Sequence, residues 1–566
     1  MTQRHFSKPS EAPFHIDSNR EPEALLDSVA SDQAATVQRL KGSMAARRWP
    51  RAALLSIGLA AALVACGGGG GDEPPAGGPP PAGGPPPSGN VIPADCAETG
   101  TGSGSATSGG EAPSMIGSTI DAYANCNTVY AGQRITFHLS DHAGSASTRN
   151  AAVTIFRIGE TDEVVLNSTA SMTKQTVPND AWVNCCNWPV GLTLEVPLDW
   201  ESGYYRARFT SPSGGEPAWL AFVVKTRTPA ADTNMVFQIP FDTAQAYNPW
   251  GGKSAYEFNS SNGVRAQALS MFRPSMDATG EEYIIGVVSY IRWAESRGIK
   301  MDYITSDDLH EDPQALDPYK VFLTVGHDEY WTQTMRDELD AHIDGGDHAI
   351  IMSGNTMWWR IRRVTDDYGR ALGKTLIERQ SGTAGANWFE FDREGRTIGA
   401  SFFKGGFINS GTAPAAQLER DYTVYDSTHW AFAGTGLTNG SEFGGQYQIH
   451  SYESDGVDYT FVGAKPVPTG GDGVPTDTKI LALTSLPAAE WDSPSENPAS
   501  APQINLTGVP GPNAAMTEFT RPSGGIVFNF GTTDYDRVLP TCTGAFATQT
   551  PECRIASNVI NYLRNN

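Results

Sequence analysis

The sequence predicts a fold in two parts, an immunoglobulin-like β-sandwich followed by a mainly parallel α/β sheet. Residues 113–228 hold short runs in which apolar and polar residues alternate or nearly alternate, with turn residues between them. Residues 233–566 instead alternate buried-strand patterns with helical patterns. The chain has 566 residues, of which 39% are hydrophobic and 10% aromatic. That composition is enough for a large packed core and excludes a disordered protein.

Residues 1–65 predict an N-terminal extension and a lipoprotein signal peptide. A basic segment at 47–51 precedes an apolar run at 52–62, and the next residues, Leu-Val-Ala-Cys66, resemble a bacterial lipobox. We expect cleavage before Cys66 and lipidation of its thiol, with an ordinary secretory signal as the alternative. Because Gly67 is not the aspartate that retains lipoproteins in the inner membrane, the predicted location is the outer membrane of the bacterial cell envelope.

A tether is predicted between the lipid anchor and the folded part. Residues 66–112 are rich in Gly, Pro and Ser, a composition typical of extended linkers. Residues 1–43 do not resemble a targeting segment, so we favour translation from Met44 over translation from Met1. The sequence leaves open whether the anchored protein faces the periplasm or the cell surface.

The charge balance argues against nucleic acid as a partner. The chain carries 40 Lys+Arg residues against 63 Asp+Glu residues, a formal net charge of −23. A surface this acidic repels the phosphate backbone. We therefore expect a membrane contact through the lipid on Cys66 and no nucleic-acid partner. The sequence does not indicate an oligomeric state.

The cysteines fit an exported protein with disulfide bonds. Seven cysteines are present, and setting Cys66 aside leaves an even number. Cys542 and Cys553 are close in sequence and are predicted to close a loop near the C-terminus. The remaining ones allow several pairings, including a bond between sequence neighbours: Cys96, Cys126, Cys185 and Cys186.

The α/β part is predicted from the order of its elements. Short apolar runs predict buried strands, and runs with a period near 3.6 residues predict helices, while residues 385–470 are β-like and are interpreted as an insertion. This alternation predicts a parallel sheet of the flavodoxin-like or class I glutamine amidotransferase-like type. The strands are expected at 235–239, 321–325, 349–352 and 526–530, and the helices at 281–297, 334–343 and 555–563.

A small-molecule site is predicted at the ends of three strands. Ligands of open α/β sheets bind beyond the carboxyl ends of the strands. There, His327, Asp328 and Glu329 face tyrosines and Asn355, a group that suits a metal or a general acid/base pair. A surface turn with hydrogen-bonded polar groups is the competing interpretation. Polar residues among aromatics and glycines follow the strands at 245–252, 326–331 and 353–359.

Several common mechanisms are excluded by what the sequence lacks. No cysteine lies between residues 187 and 541, so a cysteine nucleophile is excluded from the α/β part. That part has no G-x-S-x-G nucleophile elbow, and the chain has no H-E-x-x-H zinc helix and no P-loop. Metal-assisted or acid/base chemistry at the strand ends remains.

Motifs spread along the second half of the chain resemble one enzyme family. They are W-x-S-G-x-Y at 200–205, A-Y-N-x-W-G-G at 246–252, G-H-x-E-Y-W at 326–331, G-N at 354–355, Y-E-x-D-G at 452–456 and V-F-N-x-G-T at 527–532. This ordered set resembles the large (β) subunit of bacterial N,N-dimethylformamidase and its wider family over residues 195–566.

The resemblance implies a mononuclear iron site in an enzyme that hydrolyses the C–N bond of a small amide. The family's two tyrosinate ligands and one glutamate ligand match Tyr205, Tyr247 and Glu329. Hard anionic oxygens suit ferric iron, and a site with three protein ligands leaves positions open for water and a carbonyl. As a competing interpretation, Tyr205 packs at the edge of the sandwich, and the neighbouring Tyr204 blurs the assignment.

The same resemblance implies roles for three further residues. His327 is expected to shuttle a proton or to donate to a ligand, and Asn355 to donate to the developing oxyanion. Glu453 is expected to be the general base. The chain departs from the family at Asp328, where we expect proline, and it is exported and anchored. Both departures put dimethylformamide itself in doubt as the substrate.

Two other functions stay open from the sequence. A non-catalytic envelope lipoprotein would bind a glycan or another envelope component through exposed Trp331, Trp358 and Trp359. A zinc-type hydrolase would use His327 and Glu329, and it is the less favoured because no spacing supports a further histidine ligand such as His310, His429 or His450.

Overall fold

The computed structural model describes most of the chain beyond residue 118. The predicted signal peptide and tether, the lipidation site Cys66 and Cys96 lie outside the described residues. Within the described ranges, no helix is long and apolar enough to cross a membrane. These ranges are 119–142, 147–275, 284–365, 371–377, 386–408, 418–486, 491–492 and 512–566.

Two sheets near the start of the described chain pack face to face as a sandwich. Inward-facing residues alternate along the strands, as at Ala151, Val153 and Ile155, because successive side chains point to opposite faces. The elements are β1 (Ile120–Ala124), β2 (Thr128–Tyr130), β3 (Arg134–Asp141), β4 (Arg149–Ile158), β5 (Glu163–Met172), α1 (Ala181–Asn184), β6 (Val190–Glu195), β7 (Gly203–Thr210) and β8 (Ala218–Lys225).

The sandwich sheets have the strand orders β1-β3-β6 and β2-β8-β7-β4-β5. All of their strand pairs are antiparallel except β2 with β8. The inward residues of both sheets form a single apolar core. The first part of the described chain is therefore built as a β-sandwich.

The rest of the described chain contributes further strands and helices. The strands are β9 (Met235–Ile239), β10 (Ala268–Ser270), β11 (Asp302–Thr305), β12 (Val321–His327), β13 (Tyr330–Trp331), β14 (His348–Gly354), β15 (Trp359–Thr365), β16 (Ala371–Ile377), β17 (Ser401–Ile408), β18 (Tyr422–Val424), β19 (Glu442–Phe443), β20 (Glu453–Gly456), β21 (Tyr459–Val462), β22 (Lys465–Pro468), β23 (Lys479–Ser485), β24 (Trp491–Asp492), β25 (Asn513–Thr520) and β26 (Ile526–Asn529). The α-helices are α2 (Phe241–Tyr247), α3 (Val287–Ser296), α4 (Ser306–Glu311), α5 (Gln333–Asp344), α6 (Trp388–Phe391), α7 (Gly395–Ile398) and α8 (Pro551–Asn565). Short 3₁₀ helices lie at Ser261–Gly263, Trp430–Phe432, Gly445–Tyr447, Tyr535–Thr541 and Phe546–Thr548.

The predicted flavodoxin-like or class I glutamine amidotransferase-like parallel sheet is wrong. In the largest sheet, the strands in the order β11-β9-β12-β14-β26 run parallel, but β25, β23, β18 and β19 continue the sheet antiparallel. Smaller sheets with the orders β10-β16-β15-β13, β20-β17-β24 and β21-β22 surround it. Periodicity located the strands β9, β12, β14 and β26, but it carries no information on strand direction. The strands β25, β23, β18 and β19 pair antiparallel with their neighbours and need no helical crossover, so the sheet is mixed.

The sandwich and the mixed sheet share an apolar core. Ile158, Tyr204 and Val223 of the sandwich pack in one cluster with Phe237 and Tyr290 of the second part. Since neighbours on a strand face opposite ways, β7 places Tyr204 in this cluster and Tyr205, Ala207 and Phe209 in the sandwich core. The second part is therefore built directly on the outer face of one sandwich sheet.

The predicted disulfide between Cys542 and Cys553 is confirmed. Among the pairings left open, the structure contains the bond between the sequence neighbours Cys185 and Cys186. Cys126 is also disulfide-bonded. These bonds agree with a protein that folds in an oxidising compartment.

Substituting Gly326 with alanine is expected to destabilise the protein by more than about 3 kcal/mol. Gly326 precedes His327 and has a φ of 83°, and an added Cβ would lie 1.7 Å from the carbonyl oxygen of Ile285. Chemical denaturation of Gly326→Ala measures the effect. Gly298→Ala is the matched control, because Gly298 has a φ of 67° but no atom within 4 Å of the added Cβ. It should cost about 1 kcal/mol, and equal losses for both variants would contradict the steric explanation.

Candidate functional site

The carboxyl ends of two neighbouring parallel strands bring the predicted loops together. β12 and β14 pair in register up to His327 and Gly354, their last residues. The loops that follow are joined by backbone hydrogen bonds from Met357 to Asp328 (2.9 Å) and from Trp359 to Glu329 (2.9 Å). The prediction that the stretches after these strands meet at one edge of the sheet is confirmed.

Glu329 lies at the centre of a buried cluster of oxygen atoms. The Tyr247 hydroxyl donates to Glu329 Oε2 at 3.0 Å, and the Tyr256 hydroxyl lies 3.0 Å from Oε1 and 2.9 Å from Oε2. The Tyr330 hydroxyl donates to that of Tyr256 at 2.8 Å. Glu329 is only 2% exposed, so these hydroxyls supply hydrogen bonds that water would otherwise make.

Tyr256 reaches the cluster because the chain folds back after α2. Tyr247 is the last residue of that helix, and a turn at Gly251 and Gly252, both with positive φ, reverses the chain. The Ala255 amide then donates to the carbonyl oxygen of Ala246, and the rings of Tyr247 and Tyr256 lie 4.3 Å apart. Sequence reasoning missed Tyr256; the glycine pair was the signal that could have indicated it.

His327 joins the cluster to a second carboxylate. His327 Nε2 lies 2.7 Å from Glu453 Oε2 and 3.3 Å from Glu329 Oε2. Burial by itself lowers the pKa of His327, but the two carboxylates outweigh it and raise the pKa to about 10. Burial raises the pKa of Glu453, and His327 opposes that rise. The imidazole is therefore cationic at neutral pH and can hold a proton between two carboxylates.

Burial also governs Tyr247, whose pKa it raises well above the ordinary value. The negative charge of Glu329 raises this pKa further. Tyr247 is consequently a neutral donor unless a cation is close to its oxygen. Ionisation of this phenol and the binding of a cation would be coupled.

Asn355 lies in a strained turn that faces Glu453. It has a φ of 51°, and Asp455 accepts hydrogen bonds from the backbone amides of Asn355 (2.8 Å) and Thr356 (3.3 Å). The Asn355 side chain lowers the pKa of Glu453, while its own buried Oδ1 atom accepts no hydrogen bond from any described residue. Buried polar atoms with unmet capacity are typical of ligand sites. The structure thus brings together His327, Glu329, Asn355 and Glu453.

Tyr205 is not brought to this cluster. Its hydroxyl donates to the carbonyl oxygen of Glu201 at 2.8 Å, and its ring stacks on Trp200 and Phe222 in the sandwich core. Tyr205 points away from the second part because its neighbour on β7, Tyr204, points toward it, and neighbouring residues on a strand point to opposite faces. Of the three residues matched to the family's iron ligands, only Tyr247 and Glu329 converge, and the predicted convergence of Tyr205 with them is wrong.

The alternative sites find no support in the geometry. Trp331, Trp358 and Trp359 are at most 2% exposed, so the prediction that they form an exposed aromatic platform is wrong. In the described part of the chain, no group of three or more His, Cys, Asp and Glu side chains is arranged to hold a metal ion. The histidines proposed as additional zinc ligands have partners away from His327: His310 with Thr332, His429 with Glu518, and His450 with Thr484.

Comparison with known proteins identifies a family. No curated protein is similar enough to the chain to count as a relative. A cycloisomaltooligosaccharide glucanotransferase from Paenibacillus sp., solved with cycloisomaltoheptaose, is 11% identical over 47% of this chain, with a TM-score of 0.15. The chain covers 35% of that enzyme, and a TM-score this low carries no argument. The family described as N,N-dimethylformamidase beta subunit-like, C-terminal, matches residues 150–547, which is more than half of the chain. The chain therefore belongs to the N,N-dimethylformamidase β-subunit-like family.

Proposed function

We propose that the protein hydrolyses the C–N bond of a small linear amide at the cluster around Glu329. Membership of the dimethylformamidase-like family suggests amide hydrolysis. The observation that carries the proposal is the meeting of two tyrosine hydroxyls and one carboxylate beside the His327–Glu453 ion pair. Such a site offers both a ligand set of hard oxygens and a group that moves protons.

The donor set fits ferric iron if Tyr256 takes the place expected for Tyr205. The hydroxyl oxygens of Tyr247 and Tyr256 each lie within 3.0 Å of a Glu329 carboxylate oxygen, and all three residues are buried. Phenolate and carboxylate oxygens are the hard ligands that such an ion prefers, whereas zinc sites more often use His and Cys. When bound, iron would polarise the amide carbonyl and lower the pKa of water.

Proton transfer is assigned to Glu453 and His327. In our proposal, Glu453 Oε2 accepts a proton from the attacking water, and the cationic His327, 2.7 Å away, stabilises the carboxylate form of Glu453 before this transfer and again once the proton has left. The same proton then passes to the leaving nitrogen as the C–N bond breaks, so that a carboxylic acid and an amine are released. The Asn355 side chain, which lowers the pKa of Glu453, is proposed to stabilise that carboxylate instead of acting as the oxyanion donor expected from the sequence.

The substrate is proposed to be small, and its hydrolysis to take place at the cell envelope. Tyr247, Tyr256, Glu329 and Glu453 are at most 6% exposed, which leaves little room for a large molecule. The lipobox-like segment ending at Cys66 supports anchoring of the enzyme in the outer membrane. Amides that enter the envelope from outside the cell would then be the available substrates.

Substituting Glu329 with glutamine is expected to lower kcat/KM by at least about 100-fold, since the change removes the anionic oxygen at the centre of the cluster. The assay measures amine release from a panel of small linear amides by the mature protein loaded with iron. Glu338→Gln is the matched control. Glu338 is a buried glutamate on α5 whose carboxylate accepts a hydrogen bond from the Leu316 amide. The side-chain carbonyl oxygen of glutamine can accept the same hydrogen bond. A wild-type protein that hydrolyses none of the amides in the panel would contradict the proposal.

Substituting Tyr256 with phenylalanine is expected to abolish the visible tyrosinate-to-iron absorption of ferric-loaded protein or to change its shape. Tyr205→Phe is expected to leave that absorption unchanged and to cost about 1 kcal/mol of stability through the lost hydrogen bond to Glu201. Absorption spectra, iron content and melting temperatures of the two variants check this. Loss of the band in Tyr205→Phe with retention in Tyr256→Phe would restore the ligand set implied by the sequence.

A further inference from the structure

A buried arginine outside the cluster forms an ion pair with the helix that carries Tyr247. Arg363 lies on β15, and its side chain is 9% exposed. Its Nη1 and Nη2 atoms bond to Asp242 Oδ1 and Oδ2 at 2.5 and 3.0 Å, and Nη2 also reaches Asp307 Oδ1 at 2.5 Å. A guanidinium that bridges two carboxylates, one of them through two bonds, fixes their relative orientation as a point charge cannot.

Asp242 connects this bridge to Glu329 through α2. The residue after it, Thr243, accepts a hydrogen bond from the Glu329 amide at 3.0 Å, and Tyr247 at the end of the same helix bonds to the Glu329 side chain. The strand that carries Arg363 begins at Trp359, whose amide donates to the Glu329 carbonyl oxygen at 2.9 Å. Both elements joined by Arg363 therefore also bond to Glu329, and the ion pair closes a ring of contacts around it.

Asp307 extends the connection into the sandwich. It lies in α4, next to Asp308, and its Oδ2 atom accepts a hydrogen bond from Asn127 Nδ2 at 2.7 Å. Asp308 accepts a hydrogen bond from Thr128 at 2.9 Å and pairs with Lys225, both on sandwich strands. Arg363 on β15 therefore bonds directly to α2 and α4, and α4 is in turn bonded to the sandwich through Asp307 and Asp308.

We propose that Arg363 is a positioning residue that holds α2 against β15, so that Thr243 and Tyr247 stay in bonding distance of Glu329. The inference rests on the proposed function for its catalytic consequence and on geometry alone for its structural consequence. It also gives the sandwich a role in the site, as the support against which the Arg363–Asp307 bond is held.

The structural consequence is tested by hydrogen–deuterium exchange on the whole mature protein. Arg363→Met is expected to raise exchange at the backbone amides of 241–247 and of Glu329 by at least about tenfold, because the helix loses its anchor while two carboxylates are left buried. Arg521→Met is the matched control. Arg521 is 15% exposed and bridges Asp340 and Asp344 at the opposite end of the parallel strands. Equal exchange of segment 241–247 in the two variants would overturn the proposal.

The catalytic consequence is tested on the same proteins loaded with iron. Arg363→Met is expected to lower kcat about 10- to 100-fold while KM changes less than threefold, since a displaced tyrosine disturbs the reacting geometry more than binding. Arg363→Lys keeps the charge but loses the two parallel hydrogen bonds of the guanidinium, so its kcat should lie between those of the wild type and Arg363→Met. A change confined to KM would overturn the positioning role.

A double variant separates positioning from a general loss of stability. If Arg363 acts through Asp242, Asp242→Asn combined with Arg363→Met should lose no more than about twofold beyond Arg363→Met alone. Multiplicative losses would overturn this connection, and Arg363→Lys serves if Arg363→Met fails to fold. If the wild type hydrolyses no amide, the proposed function fails, but the exchange comparison still decides whether Arg363 holds the helix.

Discussion

The burial of one carboxylate, that of Glu329, is the constraint around which this site is built. A carboxylate removed from water is costly unless every lone pair finds a donor, and 2% exposure leaves no solvent to supply one. The hydroxyl donors come from separate elements, Tyr247 from α2 and Tyr256 from the returning loop, and His327 of β12 adds an ion-pair contact at 3.3 Å. Its backbone is bonded on both sides as well. The conformation of these segments therefore follows from the need to satisfy one residue.

The charges of the cluster indicate what it can bind. With His327 protonated and the tyrosines neutral, the carboxylates of Glu329 and Glu453 leave an excess of negative charge when both are ionised. A buried excess of this kind favours a cation or an additional proton. Either would also lower the cost of ionising Tyr247. Iron binding, tyrosinate formation and proton transfer are therefore coupled properties in the proposed mechanism, and substitutions at one of these residues should not be additive with substitutions at the others.

The sequence predicted the parts of the fold that depend on local pattern. Buried strands and their polar ends gave the edge of the sheet where Glu329 and Asn355 meet, and the motif around Glu453 gave its partner. What failed depends on long-range geometry. The direction of a strand is set by distant partners such as β25. The face of the sheet to which Tyr205 points is set by the register of β7, because a shift by one residue would put Tyr204 on that face instead. Tyr256 was missed because no spacing rule describes a chain that folds back over two glycines.

The shared core beneath β7 bears on where the chain can be divided. A boundary near residue 230 looks like a domain border in the sequence, yet the family match begins at residue 150, one residue after the start of β4. The sheet that contains β4, β7 and β8 is the one whose outer face packs against the second part. The matched stretch thus includes β5, β7, β8 and nearly all of β4, whereas β2 of the same sheet precedes it. Dividing the chain at the apparent border would separate two halves of one core, so we expect that residues 233–566 do not fold without the sandwich sheet on which they pack.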